Sequence, residues 1–196
     1  MPKTGIIAIT GGIGAGKSVV SAILRHAGYS VYDCDSRAKM LMNDSPIIKE
    51  ALIAQFGTDV YDDAGNLNRQ RLAGIIFNDA QALQYVNSVV HPAVRDDIAH
   101  WCTLQPQRPV FIETAILKEG GLELMVDQVW NVTAPLEVRV GRVMKRNNVS
   151  RDEVLRRVCS QTGDYMESLL SVKEIVNDGV LPVMPQVFSL LSDLNF

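Results

Sequence analysis

Residues 11–18 read Gly11-Gly12-Ile13-Gly14-Ala15-Gly16-Lys17-Ser18, and this stretch decides the fold expected for the chain. It matches the pattern G-x-x-x-x-G-K-[S/T] at every fixed position. A short apolar run, Gly5–Thr10, precedes it, and apolar residues at helical spacing follow it from Lys17 to Ala27. A strand, a glycine-rich loop and a helix in this order predict a loop that binds the phosphates of a nucleoside triphosphate. A dinucleotide-binding turn is excluded, because Lys17 stands where the G-x-G-x-x-G pattern needs its last glycine.

The residue types of this loop predict its contacts. Glycines let successive backbone N–H groups converge on phosphate oxygens, and the N-terminus of the following helix adds a partial positive charge. We expect Lys17 to reach the β- and γ-phosphates and Ser18 to bind the Mg²⁺ that accompanies the nucleotide. The nucleotide-binding residues predicted from the loop are Gly12, Gly14, Ala15, Gly16, Lys17 and Ser18.

Composition narrows the class of protein. The chain has 196 residues, of which 47% are hydrophobic and 21% charged, so it is ordered and long enough for its own core. No apolar stretch approaches the roughly 18 residues of a membrane-spanning helix, and the apolar start is too short for a signal peptide. The net charge of −3 argues against a dedicated nucleic-acid-binding protein. Cys34, Cys102 and Cys159 form no CxxC pattern, which favours a reducing, cytoplasmic location, and nothing in the pattern favours one oligomeric state.

Strands and helices alternate along the chain. The predicted strands are Gly5–Thr10, Ser30–Cys34, Pro109–Ile112, Gln128–Val132 and Val172–Val176. Further helices are predicted at 135–146, 150–161 and 185–194, and residues 35–101 are mostly helical with breaks at 43–46, 57–68, 78–79 and His91–Pro92. This alternation predicts a three-layer α/β/α fold with a parallel five-stranded sheet. We expect one domain, with a core at 1–34 and 105–196 and a helical insertion at about 35–104.

Acidic residues at the ends of predicted strands are candidates for a catalytic base or for contacts with Mg²⁺-bound water. The helix from Lys17 advances about 16 Å and a five-residue strand returns about 17 Å, so the second strand ends beside the glycine loop. Asp35 follows that strand and is our candidate base for an acceptor hydroxyl, with helix capping as the alternative. Asp33 either holds a water molecule of Mg²⁺ or is structural. Glu113, at the end of a neighbouring strand, either orients such a water molecule or caps the next segment.

Arginines follow the fourth predicted strand. Arg139, Arg142 and Arg146 lie within about 60° of one another on one helix face. Further arginines are Arg151, Arg156 and Arg157. These arginines favour a lid, at about 139–161, whose charges neutralise the transferring phosphoryl group. The alternative is a solvated helix face on which Glu137, Asp152 and Glu153 are the partners.

Several segments together resemble the dephospho-coenzyme A kinase family, over nearly the whole chain. The segments that carry the resemblance are ITGGIGAGKS at 9–18, VYDCD at 31–35, FG at 56–57, GNLNR at 65–69 with Leu72, IF at 76–77, HP at 91–92, RVMKR at 142–146, Arg157, Gln161 and VNDG at 176–179. The resemblance implies a P-loop kinase fold, with a helical acceptor-binding insertion and a short helical lid. It implies transfer of the ATP γ-phosphoryl group to the 3′-hydroxyl of dephospho-CoA, with Mg²⁺ accompanying ATP.

The resemblance also implies roles for matched residues. Asp35 would be the base, and Arg142, Arg146 and Asn177 would contact ATP, with Asn177 near the adenine. Arg69 and His91 would bind the acceptor; for His91 the residues alone leave a structural hydrogen-bonding role open.

The chain departs from the family pattern at two places. The family usually has Thr after the loop serine, whereas Val19 stands here and would bind ATP only through its backbone N–H. The family segment D-x-P-L-L-F-E reads ETAILKE at 113–119.

Two other functions compete with this kinase: a nucleoside or nucleotide kinase, and a nucleotide-dependent switch. A guanine-nucleotide switch needs an Asn-Lys-x-Asp element, which this chain lacks, so the sequence favours a kinase. The expected partners are therefore the small molecules ATP and dephospho-CoA, with no nucleic acid and no membrane.

Overall fold

The computed structural model describes residues 5–105, 109–159 and 171–194. Its strands are β1 (Ile6–Thr10), β2 (Val31–Asp33), β3 (Val110–Glu113), β4 (Gln128–Thr133) and β5 (Ser171–Val176). Its helices are α1 (Lys17–His26), α2 (Cys34–Asp44), α3 (Pro46–Phe56), α4 (Arg69–Asn78), α5 (Ala80–Thr103), α6 (Leu136–Asn147), α7 (Arg151–Cys159) and α8 (Val183–Ser192). They group into two compact units, one running up to Asp33 and again from Leu104, the other spanning Cys34–Thr103.

The first unit is built on a parallel sheet. Its strand order within the described residues is β2-β3-β1-β4-β5, with every neighbouring pair parallel. Helices cover both faces, so the predicted five-stranded α/β fold is confirmed. Parallel strands are buried on both faces, which is why β1 and β3 are runs of apolar residues rather than alternating ones.

Large side chains fill the core of this sheet. Trp130 and Phe111 are fully buried, their ring centroids lie 5.1 Å apart, and Tyr29 meets Phe111 edge-on at 5.5 Å. Burial of side chains of this size contributes about 2–3 kcal/mol each. The Trp130 indole N–H donates to Gln128 Oε1 at 2.7 Å, so the one polar group of the ring is satisfied. The core therefore fixes the strands whose carboxyl ends carry the candidate site.

The second unit is helical, and its long helix corrects one prediction. The sequence predicts a break at His91–Pro92, which is wrong, because α5 runs unbroken through Pro92. Proline removes one backbone hydrogen bond, but a fully apolar stripe faces the other helices on both sides of it. The buried members of that stripe are Ala82, Val86, Val90, Val94 and Ile98. Packing therefore outweighs the local preference of proline to end the helix.

Polar side chains cap the N-termini of two helices in this unit. Ser45 Oγ accepts from Ile48 N at 3.4 Å and begins α3, while Asn68 Oδ1 accepts from Arg71 N at 3.1 Å and begins α4. The second strand is shorter than predicted, because Cys34 already belongs to α2. No helix in the described ranges is long and apolar enough to cross a membrane.

Candidate active site

The glycine loop joins β1 to α1 and depends on glycine at its last turn. Gly16 has φ 100°, a left-handed conformation, and a Cβ there would lie 2.0 Å from Asn177 Nδ2. Any other residue would therefore be strained and would displace a buried amide. The first turn of α1 contains no acidic residue, and no side chain caps it in the described structure. The positive end of the helix is thus left for an anion.

Lys17 and Ser18 begin α1, directly after the loop. The Lys17 ammonium donates to Gly11 O at 2.8 Å, which folds the side chain back across the loop. Ser18 is exposed, and the Val19 side chain is 45% exposed. The Val19 backbone N–H donates to Gly16 O at 3.0 Å as part of the first helical turn. The predicted loop residues therefore lie in one compact turn between β1 and α1, which Lys17 crosses.

Arg142 and Asn177 hold this loop from the side of α6 and β5. The buried Asn177 donates from Nδ2 to Ala15 O at 2.8 Å and accepts from Arg142 Nη2 at 3.1 Å. Arg142 Nη1 donates to Asn177 O at 3.0 Å and more weakly, at 3.4 Å each, to Gly14 O and Ala15 O. The guanidinium thus lies against the loop carbonyls, with the amide completing the cluster.

The end of β5 is fixed by a residue that sequence reasoning missed. Gln186 of α8 accepts from Val176 N and donates to Val176 O, both at 2.9 Å, as a neighbouring strand would. The next residue is Asn177, so this pairing fixes where the amide lies. Asp178 Oδ1 then accepts from the N–H groups of Leu181 and Val180, which holds the pKa of its carboxyl below its usual range. No local sequence signal marks Gln186 for this task.

Three other arginines of the predicted lid bind side chains of α6 or α7. Arg146 is exposed, and its Nε donates to Asn147 Oδ1 at 3.1 Å. Arg151 binds Glu137 through two hydrogen bonds of 2.6 and 2.8 Å, which lowers the pKa of the Glu137 carboxyl. Arg157 pairs with Glu153 along α7. For Arg151 and Arg157 the structure shows the solvated pairs of the alternative interpretation. Gln161 lies outside the described residues.

Two acidic residues end neighbouring strands at the edge of the sheet beside the loop. Asp33 and Glu113 end β2 and β3 in register, and Glu113 is also in register with Ile9, two residues before the loop. Both residues are half-buried. Hydroxyl and carboxylate oxygens are the ligands that Mg²⁺ prefers, typically one or two of them together with substrate phosphates. The described residues contain no group of three or more His, Cys, Asp or Glu that could hold a metal ion alone. Ser18 and these carboxylates therefore fit an ion that arrives with a nucleotide.

The other predicted residues belong to the second unit. Asp35 is exposed in the first turn of α2 and accepts no hydrogen bond from the described residues, so capping does not occupy it. Arg69 is the exposed first residue of α4, and His91 is half-buried on α5. These three side chains lie on three different helices. Another pair ties two of those helices: Arg37 binds Asp97 through bonds of 2.9 and 2.6 Å.

Comparison with known proteins gives a consistent result. The sequence profile described as dephospho-CoA kinase matches residues 5–182. Dephospho-CoA kinase of Bacteroides fragilis is 36% identical over 189 residues, which cover 96% of this chain and 92% of that one. The Porphyromonas gingivalis dephospho-CoA kinase is 43% identical over 155 residues, 79% of this chain and 76% of that one.

Solved structures agree on the fold. A Thermus thermophilus protein superposes with a TM-score of 0.82 at 35% identity, covering 98% of this chain and 99% of that chain. The dephospho-CoA kinase of Campylobacter jejuni superposes with a TM-score of 0.69 at 20% identity, covering 96% of each chain.

Proposed function

The chain belongs to the dephospho-CoA kinase family, and from this premise we propose how its residues transfer the γ-phosphoryl group of ATP to the 3′-hydroxyl of dephospho-CoA. The observation that carries the proposal is the glycine loop, whose carbonyls Arg142 and Asn177 bind from one side while Lys17 lies across it. Such a loop presents N–H groups and an ammonium to phosphates, which is what phosphoryl transfer needs most.

Lys17 and Ser18 act on the phosphates in this proposal. The Lys17 ammonium exchanges Gly11 O for the β- and γ-phosphate oxygens when ATP binds. The Ser18 hydroxyl is a ligand of the divalent cation that accompanies ATP, which we take to be Mg²⁺, with Asp33 and Glu113 nearby to orient its water molecules. Mg²⁺ bound there would neutralise charge on the β- and γ-phosphates. The nucleotide-binding backbone is supplied by Gly12, Gly14, Ala15, Gly16 and Val19.

Asp35 is the proposed catalytic base. Its carboxylate accepts the proton of the 3′-hydroxyl as that oxygen forms a bond to the γ-phosphorus and the bond from the γ-phosphorus to the bridging oxygen of ADP breaks. Two observations support this: the carboxylate is exposed and accepts no hydrogen bond within the described residues, and α2 starts directly at the end of β2.

Further residues are proposed to bind ATP and dephospho-CoA. Asn177 lies near the adenine of ATP, Arg142 neutralises charge on the transferring phosphoryl group, and the exposed Arg146 contacts ATP from the proposed lid at about 139–161. Arg69 and His91 bind dephospho-CoA within the proposed helical insertion at about 35–104. A reducing, cytoplasmic location fits a chain whose three cysteines form no disulfide within the described residues.

A panel of acceptors tests the function. Release of ADP from ATP and Mg²⁺ is followed with dephospho-CoA, adenosine, AMP and shikimate, and the phosphorylated product is identified by mass. We expect turnover with dephospho-CoA and formation of CoA. Preference for adenosine or AMP would favour a nucleoside or nucleotide kinase, and ADP release that ignores every acceptor would favour a nucleotide-dependent switch.

Replacement of Asp35 tests the assignment of the base. We expect Asp35→Asn to lower kcat by about 10²-fold or more, because the amide cannot take the proton, while ATP binding is retained. Asp44→Asn is the matched control, since Asp44 is an exposed aspartate at the other end of the same helix. An unchanged kcat in Asp35→Asn, or an equal loss in Asp44→Asn, would remove Asp35 from this role.

A further inference from the structure

The glycine loop has a second arginine on its outer side. Arg139 of α6 is half-buried, and its Nε donates to Ile13 O at 2.9 Å. A Cβ placed on Gly12 would lie 2.2 Å from Arg139 Nη2 and 2.6 Å from Arg139 Cζ, so the guanidinium covers Gly12 at close range. Within the described residues this arginine has no acidic partner and forms no other side-chain hydrogen bond. Its charge is therefore directed at the loop alone.

The bond to Ile13 O sets the direction of the next N–H group. The peptide bonds of the described chain are trans, and the C=O and N–H of a trans peptide point in opposite directions. While Arg139 holds Ile13 O, the N–H of Gly14 therefore points away from Arg139. That N–H donates to no group in the described structure, so it is available to an anion.

The neighbouring peptides show that only some N–H groups of the loop lack an acceptor in the described residues. Ala15 O is held by Asn177 and Arg142, which leaves the Gly16 N–H pointing the other way and without an acceptor in the described residues. The Ala15 N–H, by contrast, donates to Gly12 O at 3.0 Å and closes a turn. Donors without an acceptor in the described residues thus occur at Gly14 and Gly16, whose peptide carbonyls accept bonds of 2.9 and 2.8 Å from Arg139 and Asn177, whereas Gly14 O accepts a longer bond, 3.4 Å, from Arg142.

We propose that Arg139 is a positioning residue for ATP: by binding Ile13 O it presets the N–H of Gly14 as a donor to a phosphate oxygen. The inference rests on the proposed function, since it names the nucleotide phosphates as the ligand. A loop that becomes ordered only when the ligand binds has a lower affinity, because ordering it costs free energy. A loop that is already held in place avoids this cost. A cationic donor also polarises the peptide it binds, which strengthens the N–H at the other end.

Three variants test the proposal through one shared bond. Arg139→Met removes the donor and keeps an apolar stem. Gly12→Ala acts on the same bond, because Gly12 has no left-handed φ and the three atoms nearest its new Cβ all belong to the guanidinium, which must move. We expect each to raise the KM for ATP by about tenfold, the effect of one hydrogen bond to a charged group, with little change in the KM for dephospho-CoA. The double variant should be no worse than either single one, because both remove the same interaction.

Binding of inorganic tripolyphosphate, measured by calorimetry, separates the proposal from a general structural role. It should weaken in Arg139→Met about as much as ATP binding does, whereas Arg139→Lys, which keeps a cationic donor, should recover part of the loss. Lys173→Met is the control, since it removes an exposed positive charge from the same unit at a position outside the proposed lid. If Arg139→Met folds poorly, Gly12→Ala alone still measures the effect.

Two results would overturn the inference: unchanged tripolyphosphate affinity in Arg139→Met, or losses in the double variant that multiply. A wild-type chain that binds tripolyphosphate but does not phosphorylate dephospho-CoA would instead contradict the proposed function and leave the binding comparison intact.

Discussion

Removal of the Asn177 amide should destabilise the first unit by a measurable amount. The side chain is 7% exposed and makes two hydrogen bonds, one to Ala15 O and one from the Arg142 guanidinium. The neutral bond contributes about 1 kcal/mol and the bond to the charged group about 1.5–3 kcal/mol. Arg142 keeps its contacts with loop carbonyls in Asn177→Ala, so the lower part of that range applies. We therefore expect a loss of roughly 2–3 kcal/mol in the free energy of unfolding.

Urea denaturation followed by tryptophan fluorescence measures this loss. Trp130 is fully buried in the first unit, and Trp101 belongs to the second, so a Trp101→Phe background leaves Trp130 as the reporter of the unit that contains Asn177. Asn147→Ala is the control, because Asn147 also accepts from an arginine of α6 but does so in solvent. That control should cost less than about 0.5 kcal/mol.

Two outcomes would contradict this expectation: the Asn177→Ala chain unfolds at the same urea concentration as the wild type, or Asn147→Ala loses as much unfolding free energy. In the first case the loop cluster contributes nothing net. In the second case burial does not decide the strength of these arginine–asparagine bonds.

Two further predictions concern charge at the same edge of the sheet. Lys17→Ala should raise the KM for ATP and lower kcat by about 10²-fold, because a donor to the transition state is lost. Steady-state kinetics measures both changes, and an unchanged circular dichroism spectrum shows that the variant is folded. Normal turnover would contradict the assignment of the loop. Asp178→Ala should destabilise the chain at pH 6 and progressively less in acid. The bonds from Leu181 and Val180 lower the pKa of Asp178 in the folded state, so its contribution is present above the unfolded pKa and is lost as the pH falls through the folded one. Urea midpoints of wild type and variant that stay equally far apart below about pH 3 would contradict this.

The loop and the sheet could be predicted because their signals are local. Residues 5–27 carry strand, glycine loop and helix in one uninterrupted run, and the apolar strands are short enough to be read directly from composition. Since parallel strands end at one edge of a sheet, Asp33 and Glu113 were expected at the same edge, where the structure places them in register.

The break predicted at His91–Pro92 failed for the opposite reason. Proline acts locally, whereas the buried stripe on α5 is spread over four turns, and its gain comes from other helices. Gln186 shows the same limit, since its pairing with Val176 joins two elements ten residues apart and leaves no periodic trace.

The arginines of α6 show what residue spacing predicts and what only the structure reveals. Periodicity puts Arg139, Arg142 and Arg146 on one face, which predicts a common direction but not a common partner. Along the helix axis Arg142 lies about 4.5 Å beyond Arg139, while Arg146 lies about 10 Å beyond it. The first two therefore reach successive loop carbonyls, Ile13 O and then Gly14 O and Ala15 O, whereas the third extends past the loop into solvent. The net charge of the chain is −3, yet the positions of Arg139 and Arg142 along α6 place two guanidinium groups against one loop. The comparison of the Gly12 and Arg139 variants with the double variant measures how much of the affinity for the nucleotide depends on the Arg139 contact.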